Sequence, residues 1–465
     1  MSTLFGSLSI AVRSLLAQEA AINITANNIS NVNTPGYSRQ IPILTEALPL
    51  DTGQISIGNG VNFEGVQSVR DNVLELRLDQ ETQQQNQLES YVNSMNQVQS
   101  LFNDTEGGGL GDVINQFFNS FQQLADNPTD LPTRQAVISA AQNLASTFQQ
   151  TGRQLNTIQG GIDQQVGQTV AEINSDTTQL AGLNQQISSL QGNTEQAGML
   201  EDQRYSVLNS LSQLVDVAVT DAGAGSLTIT TSNGVPLVAG GQSFALNTAV
   251  DPSTGFQDIF SQGTDVTSSF TGGQLAGLLE ARDQSIPSAL SDLDNLAAGI
   301  INAVNTQNQQ GYDLNGDKGG NFFQPVVQPS PGSNAGAAEN MAVAITDPSQ
   351  IAASSDGTQG DNANALAIAN IQNQAVVNGE TATDFYSDLV STVGNDVSSA
   401  TDEQESVGLV LTQLQNQRSD ISGVSLDEEA ANLIQYQRAY EAAADVVSTI
   451  DQLTDTVIQT ISAAN

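Results

Sequence analysis

Residues 26–40 read ANNISNVNTPGYSRQ, and this stretch marks the end of a predicted N-terminal helix. Upstream of it, apolar residues recur every three or four positions over residues 4–29, which predicts one amphipathic helix. The helix cannot continue through Pro35, and Gly36 permits a turn. The candidate seam residues of this helix are Leu8, Leu15, Ile22 and Ile29.

A second helix with the same spacing is predicted near the other end, over residues 426–461. Ser425 followed by Glu428 forms a capping box before the apolar run. Each helix has only a narrow apolar seam, so we expect the two helices to pair, either parallel or antiparallel. The candidate seam residues of the second helix are Leu433, Tyr436, Tyr440, Val447 and Ile450.

Four asparagines cluster at the end of the first helix, within residues 27–33. Capping of a helix end explains one or two of them, whereas short amides can also bond backbone groups of neighbouring elements. Tyr37 adds an amphipathic side chain of the kind favoured at interfaces. We therefore predict an assembly contact at this site. Its candidate residues are Asn27, Asn28, Ile29, Asn31, Asn33, Pro35, Gly36 and Tyr37.

The middle of the chain changes its hydrophobic period twice. Alternating residues 54–57 and 61–63, on either side of residues 58–60, predict a β-hairpin. A nearly unbroken apolar seam over residues 144–190 predicts a coiled coil or an extended helical bundle. Alternation returns over residues 216–271, which predicts a small β unit, and helices resume after it.

These patterns together predict a mainly α protein with a β insertion, of the α+β class, shaped as an elongated rod. Residues 1–40 and 426–465 would form a terminal, core-forming domain of coiled-coil helices. Residues 41–215 and 274–425 would form a long helical bundle with a short β-hairpin. Residues 216–273 would form a small β domain that faces solvent.

Composition excludes several classes of function. The 465 residues include 11 Lys and Arg against 50 Asp and Glu, so the formal net charge is −39. This charge would repel nucleic-acid backbones and anionic membranes. The chain has no His and no Cys, which excludes thiolate nucleophiles, histidine bases and zinc sites built from these residues. No apolar run reaches the 18 residues that indicate a membrane helix, so we expect no membrane insertion.

Two patterns of acidic residues are candidate chemical sites. Asp313, Asn315 and Asp317 resemble the start of an EF-hand loop, but Lys318 and Gln324 replace the Gly and Glu that such a loop requires. We expect a structural turn there. The other carboxylates are scattered, and aromatic residues for sugar stacking make up only 5% of the chain. We therefore expect no catalytic residues, no cofactor and no metal ligands.

The two chain ends resemble the axial proteins of the bacterial flagellum. Residues 26–37 are similar to the N-terminal motif of rod, hook and hook-associated subunits, and the continuation Ser38-Arg39-Gln40 resembles the hook-associated members. The similarity extends over essentially the whole chain. Further stretches that carry it are residues 57–61, 202–204, 311–316 and 422–431.

The resemblance implies a structural subunit of the flagellum that joins the hook to the filament and is needed for flagellum assembly. It implies self-assembly into a ring and contact with the hook protein and with a second hook–filament junction protein. It also implies a dedicated export chaperone, passage through the type III export apparatus without a cleaved signal peptide, and an extracellular location on the flagellum. The terminal helices would form the inner tubular core.

Two alternatives remain open at this point. The nearer one is another flagellar axial subunit from the hook or rod, although the long helical seam over residues 144–190 is unlike the β-rich exposed parts of hook subunits. The more distant one is a secreted enzyme or adhesin with helical display arms. A cleaving activity, or a dry crevice that holds two close carboxylates, would favour this second alternative.

Overall fold

The protein is mainly helical with a β insertion, which confirms the predicted fold class. A computed structural model describes residues 2–34, 36–51, 56–102, 108–190, 194–223, 225–330 and 332–463. The helices are α1 (Ser2–Ser30), α2 (Asn72–Leu101), α3 (Leu110–Asp126), α4 (Leu131–Ser189), α5 (Thr194–Leu214), α6 (Gly273–Glu280), α7 (Ile286–Asn308), α8 (Ala363–Ala369), α9 (Ala382–Ser422) and α10 (Leu426–Ala463).

The strands are short and fall into two groups along the chain. Those near the N-terminal helix are β1 (Gln40–Glu46), β2 (Leu50–Asp51), β3 (Ser56–Ile57) and β4 (Val61–Ser68). Those of the insertion are β5 (Ala218–Gly223), β6 (Ser226–Thr230), β7 (Pro236–Ala239), β8 (Gln242–Ser243), β9 (Leu246–Val250), β10 (Gln257–Ser261) and β11 (Thr264–Asp265).

Helix α1 lies between α10 and the ribbon formed by β1 and β4. Besides its predicted seam, α1 therefore has a second buried stripe, which includes Ala17, Ala21 and Ile24. The backbone of the ribbon approaches α1 closely at Gly60, where a Cβ atom would lie 3.2 Å from Cγ2 of Ile10. A larger residue at position 60 would push the ribbon away from the helix.

Helices α1 and α10 run antiparallel. Asn28, in the last turn of α1, contacts Glu429 in the first turn of α10. Because this contact joins the end of α1 to the start of α10, the two helices can pack extensively against each other only if they run in opposite directions. The sequence predicted the pairing but left its direction open.

The predicted hairpin between residues 54–57 and 61–63 is wrong. Strand β4 pairs antiparallel with β1, from Gln40 opposite Ser68 to Glu46 opposite Val61, while β3 pairs with β2. Residues 54 and 55 lie outside the described residues. The physical reason is length, because β1 offers β4 a ladder of seven residue pairs and the two-residue β3 cannot.

The bundle is built around α4, a single helix of 59 residues. At about 1.5 Å per residue it is roughly 90 Å long. One end of the core is a cluster of phenylalanines in which neighbouring ring centroids lie 5.0–5.9 Å apart. The cluster consists of Phe117, Phe118, Phe121, Phe322 and Phe323.

The β insertion shares its core with the helices. Its two sheets have the strand orders β5-β6-β7-β8 and β11-β10-β9, and every pairing is antiparallel. Buried residues such as Ile229, Leu237 and Ile259 belong to the same hydrophobic cluster as the seam of α4. Arg282, in a π-helical segment between α6 and α7, donates to Asp163 of α4 at 2.7 Å and to the Gln257 carbonyl at 2.8 Å. The insertion is thus held to α4 by apolar packing and by a buried ion pair.

Within the part of the chain that the structure describes, none of the helices combines the length and the hydropathy needed to cross a membrane.

Candidate assembly site at the joined chain ends

The predicted seam residues line both terminal helices. The four seam residues of α1 are half-buried, and so are Leu433, Tyr436 and Val447 of α10. Ile450 is buried, whereas Tyr440 remains 38% exposed. Small residues such as Ala11 and Ala443 are buried between these larger ones, which allows the helices to approach closely. The seam of α10 follows a heptad spacing, as expected for a two-helix coiled coil.

The pair leaves a second set of apolar side chains in solvent. Leu16 of α1 and Ile434 of α10 are each 60% exposed, and Leu453 and Ile458 of α10 are about half exposed. Single exposed apolar residues need no explanation, but a series of them along two paired helices is typical of a contact surface. We refer to Leu16, Ile434, Leu453 and Ile458 as the outer apolar set.

The side-chain amide of Asn28 both donates and accepts hydrogen bonds within the chain. Its Nδ2 donates to the Gln40 carbonyl at 2.8 Å and to Oε2 of Glu429 at 3.2 Å. Its Oδ1 accepts from the Gln40 backbone N–H at 2.9 Å and from the Tyr37 hydroxyl at 2.8 Å. Asn28 is only 1% exposed, so this buried amide ties α1, β1 and α10 together. Leaving such groups unpaired would cost about 1–3 kcal/mol each.

The other predicted residues of the motif form the turn that follows α1. Asn27 accepts two hydrogen bonds from Asn31 Nδ2, at its backbone carbonyl and at Oδ1. Thr34 then donates to Asn31 Oδ1 at 3.1 Å. Asn33 and Gly36 are exposed. Pro35 lies outside the described residues.

Tyr37 has a half-buried phenol that donates to Asn28. Burial, followed by the negative charges of Asp202 and Glu429, raises the pKa of Tyr37 to about 12. The hydroxyl therefore remains protonated at neutral pH and acts as a donor. Tyr37 and Asn28 are thus in contact within one chain, whereas the assembly contact that the sequence predicts for this motif stays a prediction.

A set of ion pairs that sequence reasoning missed fixes this region to the bundle. Arg418 of α9 donates to Oε1 of Glu75 at 2.7 Å and to the Gly36 carbonyl at 3.0 Å. Arg39 donates to Oε2 of Glu428 at 2.7 Å, on the first turn of α10. No periodicity marks Arg418 or Glu75, since they meet across 343 positions of sequence.

A third ion pair, next to the ribbon, contacts α5. Arg70 donates to Oδ1 of Asp202 at 2.7 Å and lies over the ring of Tyr205, 4.0 Å from its centroid. Gln40 and Ser68 also donate to the Asp202 carboxylate. Burial raises the pKa of Asp202, and the charge of Arg70 and these hydrogen bonds oppose that effect. The only sequence signal for Asp202 was that residues 202–204 carry the family resemblance.

Among the residues that the structure describes, no group of three or more Asp, Glu, His or Cys side chains could hold a metal ion. At the EF-hand-like stretch, the Asp313 carboxylate accepts the backbone N–H groups of Asn315 and Asp317 at 2.8 and 2.9 Å. These bonds form a turn, as the sequence predicted.

Family models match three parts of the chain. The model described as the flagellar hook-associated protein FlgK helical domain matches residues 95–323. A model described as a flagella basal body rod protein matches residues 8–37. One described as the C-terminal region of the flagellar basal body rod FlgEFG proteins matches residues 415–460.

Whole proteins match over nearly the full length. The flagellar hook-associated protein 1 of Bacillus subtilis strain 168 is 30% identical over 501 aligned residues, which cover 98% of each chain. That of Escherichia coli K12 is 30% identical over 538, which cover 96% of this chain and 98% of the relative. This alignment has 538 positions and this chain has 465 residues, so at least 73 positions of the alignment are gaps in this chain.

A solved structure supports the fold. It is described as the flagellar hook junction protein FlgK from Burkholderia pseudomallei, and it superposes with a TM-score of 0.65 at 21% identity. The match covers 74% of this chain and all of that chain. Full-length similarity at 30% identity and the matched helical domain agree with the motif at the chain ends. The chain therefore belongs to the flagellar hook-associated protein 1 family.

Proposed function

We propose that this protein is a structural subunit that joins the flagellar hook to the filament and is required for flagellum assembly. The observation that carries the proposal is the antiparallel pair of α1 and α10. This pair forms a complete seam with itself and still leaves the outer apolar set in solvent. Such a surface is suited to burial against neighbouring copies of the same chain.

Copies arranged in a ring would bury these side chains, and each Å² of apolar surface removed from water would stabilise the ring by about 25 cal/mol. The buried contacts of Asn28, Arg39 and Arg418 would hold the helix pair at a fixed position on the bundle. Each copy would then present the same surface to the next, which a closed ring requires. We refer to these contacts of Asn28, Arg39 and Arg418 as the joint. The predicted motif residues would serve assembly mainly by shaping the joint.

The proposed partners follow from the same role. We expect the subunit to contact the hook protein on one side and a second junction protein on the other, outside the cell. We also expect a chaperone to cover α10 before export through the type III apparatus, because its exposed apolar side chains would otherwise associate early. No cleaved signal peptide is part of this route.

The hook or rod alternative is less well supported than the junction role. Rod models match only the ends of the chain, at residues 8–37 and 415–460. The long helical region between them matches the FlgK helical domain instead. The enzyme or adhesin alternative gains little from Glu75 and Asp79: both carboxylates line one cavity, but the Glu75 carboxylate is already paired with Arg418.

The test is electron microscopy of cells that lack this protein. We expect hooks without filaments and filament protein in the culture medium, with normal filaments restored by the intact chain. Cells that lack hooks altogether would point to a rod or hook subunit. Normal filaments on the deleted strain would contradict the proposal.

A further inference from the structure

A cavity of about 430 Å³ lies between α2, α5 and α9, beside the turn at Gly36. Most of its lining residues are polar, and none of them belongs to the seam of the terminal helices. Its lining includes Glu75, Asp79 and Thr82 of α2, Tyr205 of α5, and Gln415 and Arg418 of α9.

The carboxylate of Asp79 lacks a partner in this cavity. Asp79 is only 7% exposed, and no hydrogen bond or ion pair joins it to any other residue that the structure describes. Buried carboxylates are normally hydrogen-bonded or paired with a cation. Glu75, one turn away, meets this rule through its 2.7 Å contact with Arg418.

The charges around the cavity leave one negative charge uncompensated. Glu75 and Asp79 supply two carboxylates and Arg418 supplies one guanidinium, which is already shared between Glu75 and the Gly36 carbonyl. A ligand that carries a positive charge would complete the balance. A bare divalent ion is disfavoured, because it would have only these two carboxylates and would lie close to Arg418.

We propose that this cavity binds a primary ammonium group, held by the Asp79 carboxylate. Such a group has three N–H donors, and the Thr82 hydroxyl and the Gln415 amide oxygen offer further acceptors on the cavity wall. The volume lies within the range of about 300–1,000 Å³ that is typical of small-molecule sites. The ammonium group belongs either to a free diamine or to a lysine side chain of a partner.

The ionisation of Asp79 gives this binding a pH dependence. Burial, then the charge of Glu75, raises the pKa of Asp79 to about 7, while the charge of Arg418 opposes the shift. The charged or titratable groups that face Asp79 are Glu75 on α2, Tyr205 on α5 and Arg418 on α9. An ammonium ion binds the ionised carboxylate, so affinity should increase as the pH rises through 7.

The experiment is calorimetric titration of the full chain with putrescine at pH 8, for the wild type, Asp79→Asn and Glu89→Gln. Glu89 is an exposed acid on the same helix, outside the cavity, and serves as the matched control. We expect saturable binding to the wild type and to Glu89→Gln, and at least about tenfold weaker binding to Asp79→Asn, because a charge-assisted hydrogen bond is lost. Circular dichroism establishes that each variant is folded.

Two further arms complete the test. Wild-type binding should weaken at pH 5.5, which requires no variant. N-acetyl-lysine amide in place of putrescine distinguishes the two sources: tighter binding of the lysine derivative indicates a partner side chain, and tighter binding of putrescine indicates a free amine. Absence of saturable binding, equal affinity for Asp79→Asn and wild type, or binding that does not change with pH would overturn the proposal.

Discussion

The hydroxyl of Tyr37 donates a hydrogen bond of 2.8 Å to Oδ1 of Asn28, and Nδ2 of Asn28 donates to Glu429 of α10. One buried asparagine thus connects the turn after the first helix to the last helix. We expect Asn28→Ala to weaken the assembled junction by about 1–3 kcal/mol per subunit, since several buried groups lose their partners. The measurement is the fraction of filaments that remain attached after controlled shear.

The matched control for Asn28→Ala is Asn33→Ala, which changes an exposed asparagine of the same motif. This variant should retain filaments as the wild type does. The melting temperature of the free chain should be the same for all three proteins, because we expect the joint to form only on assembly. A lower melting temperature for Asn28→Ala alone would show that the joint is already formed in the monomer.

The chain ends should be mobile before assembly. Long helices gain most of their stability from packing, and the outer apolar set has no partner in a single chain. We expect amide hydrogens in residues 8–29 and 433–458 of the monomer to exchange much faster than those of α4, whose seam is fully buried. Hydrogen exchange with mass spectrometry measures this, and strong protection in both terminal ranges would contradict it.

A charge within the terminal seam should prevent the junction from forming. Leu433→Asp and Val447→Asp each place a carboxylate in the half-buried seam between α1 and α10, where its desolvation is costly. We expect motility to be lost while the melting temperature of the bundle is unchanged. Gln437→Asp adds the same charge at an exposed position of α10 and should preserve motility. If the seam variants still build filaments, the interface is elsewhere.

The outer apolar set is expected to contact neighbouring subunits. Leu16→Asp and Ile434→Asp should leave the pairing of α1 with α10 possible, since both side chains point to solvent in the single chain. They should nevertheless reduce filament number, because the charge would be buried between copies. Filament counts by microscopy, with Glu19→Asp as an exposed control on α1, check this. Wild-type counts in both variants would remove the outer set from the interface.

Stability should depend on pH through Asp79. Its pKa is about 7 in the folded chain against an ordinary value of 3.8, so the folded state holds the proton more tightly. The resulting stabilisation is complete below the ordinary pKa and is lost as the pH rises from about 4 to about 7. The free energy of unfolding of the wild type should therefore fall relative to Asp79→Asn over this window, by at most about 4 kcal/mol.

Denaturant unfolding at several pH values measures this difference. Glu89→Gln should follow the wild type within about 0.5 kcal/mol at every pH, as is usual for exposed positions. Asp202, whose pKa is also raised by burial, adds a slope of the same sign to all three proteins. A constant difference between Asp79→Asn and the wild type would mean that Asp79 titrates normally.

The sequence predicted the long helices well because their signals are local and repeated. The seam of α4 and the heptads of α10 each extend over several turns, so one irregular residue does not obscure the period. The β-ribbon was predicted less well. Its partner choice depends on a strand more than ten residues away, and alternation alone favours the nearest strand.

The polar contacts of the joint could not be predicted from spacing. Asn28 was recognised as unusual because asparagines cluster near it, but its partner Glu429 is one of many acids in the chain. Arg418 and Glu75 were not singled out at all, since each looks like an ordinary charged residue on a helix surface. Such pairs become visible only when the fold brings distant segments together.

The contact between Asn28 and Glu429 joins positions that are 401 residues apart. Loop-closure entropy makes such a contact slow to form and unable to nucleate folding. In the export route proposed above, we therefore expect the chain to complete its bundle before this contact closes, whichever end leads. Closure of this contact would require both ends of the polypeptide, so we expect truncated chains to fail to join the growing structure.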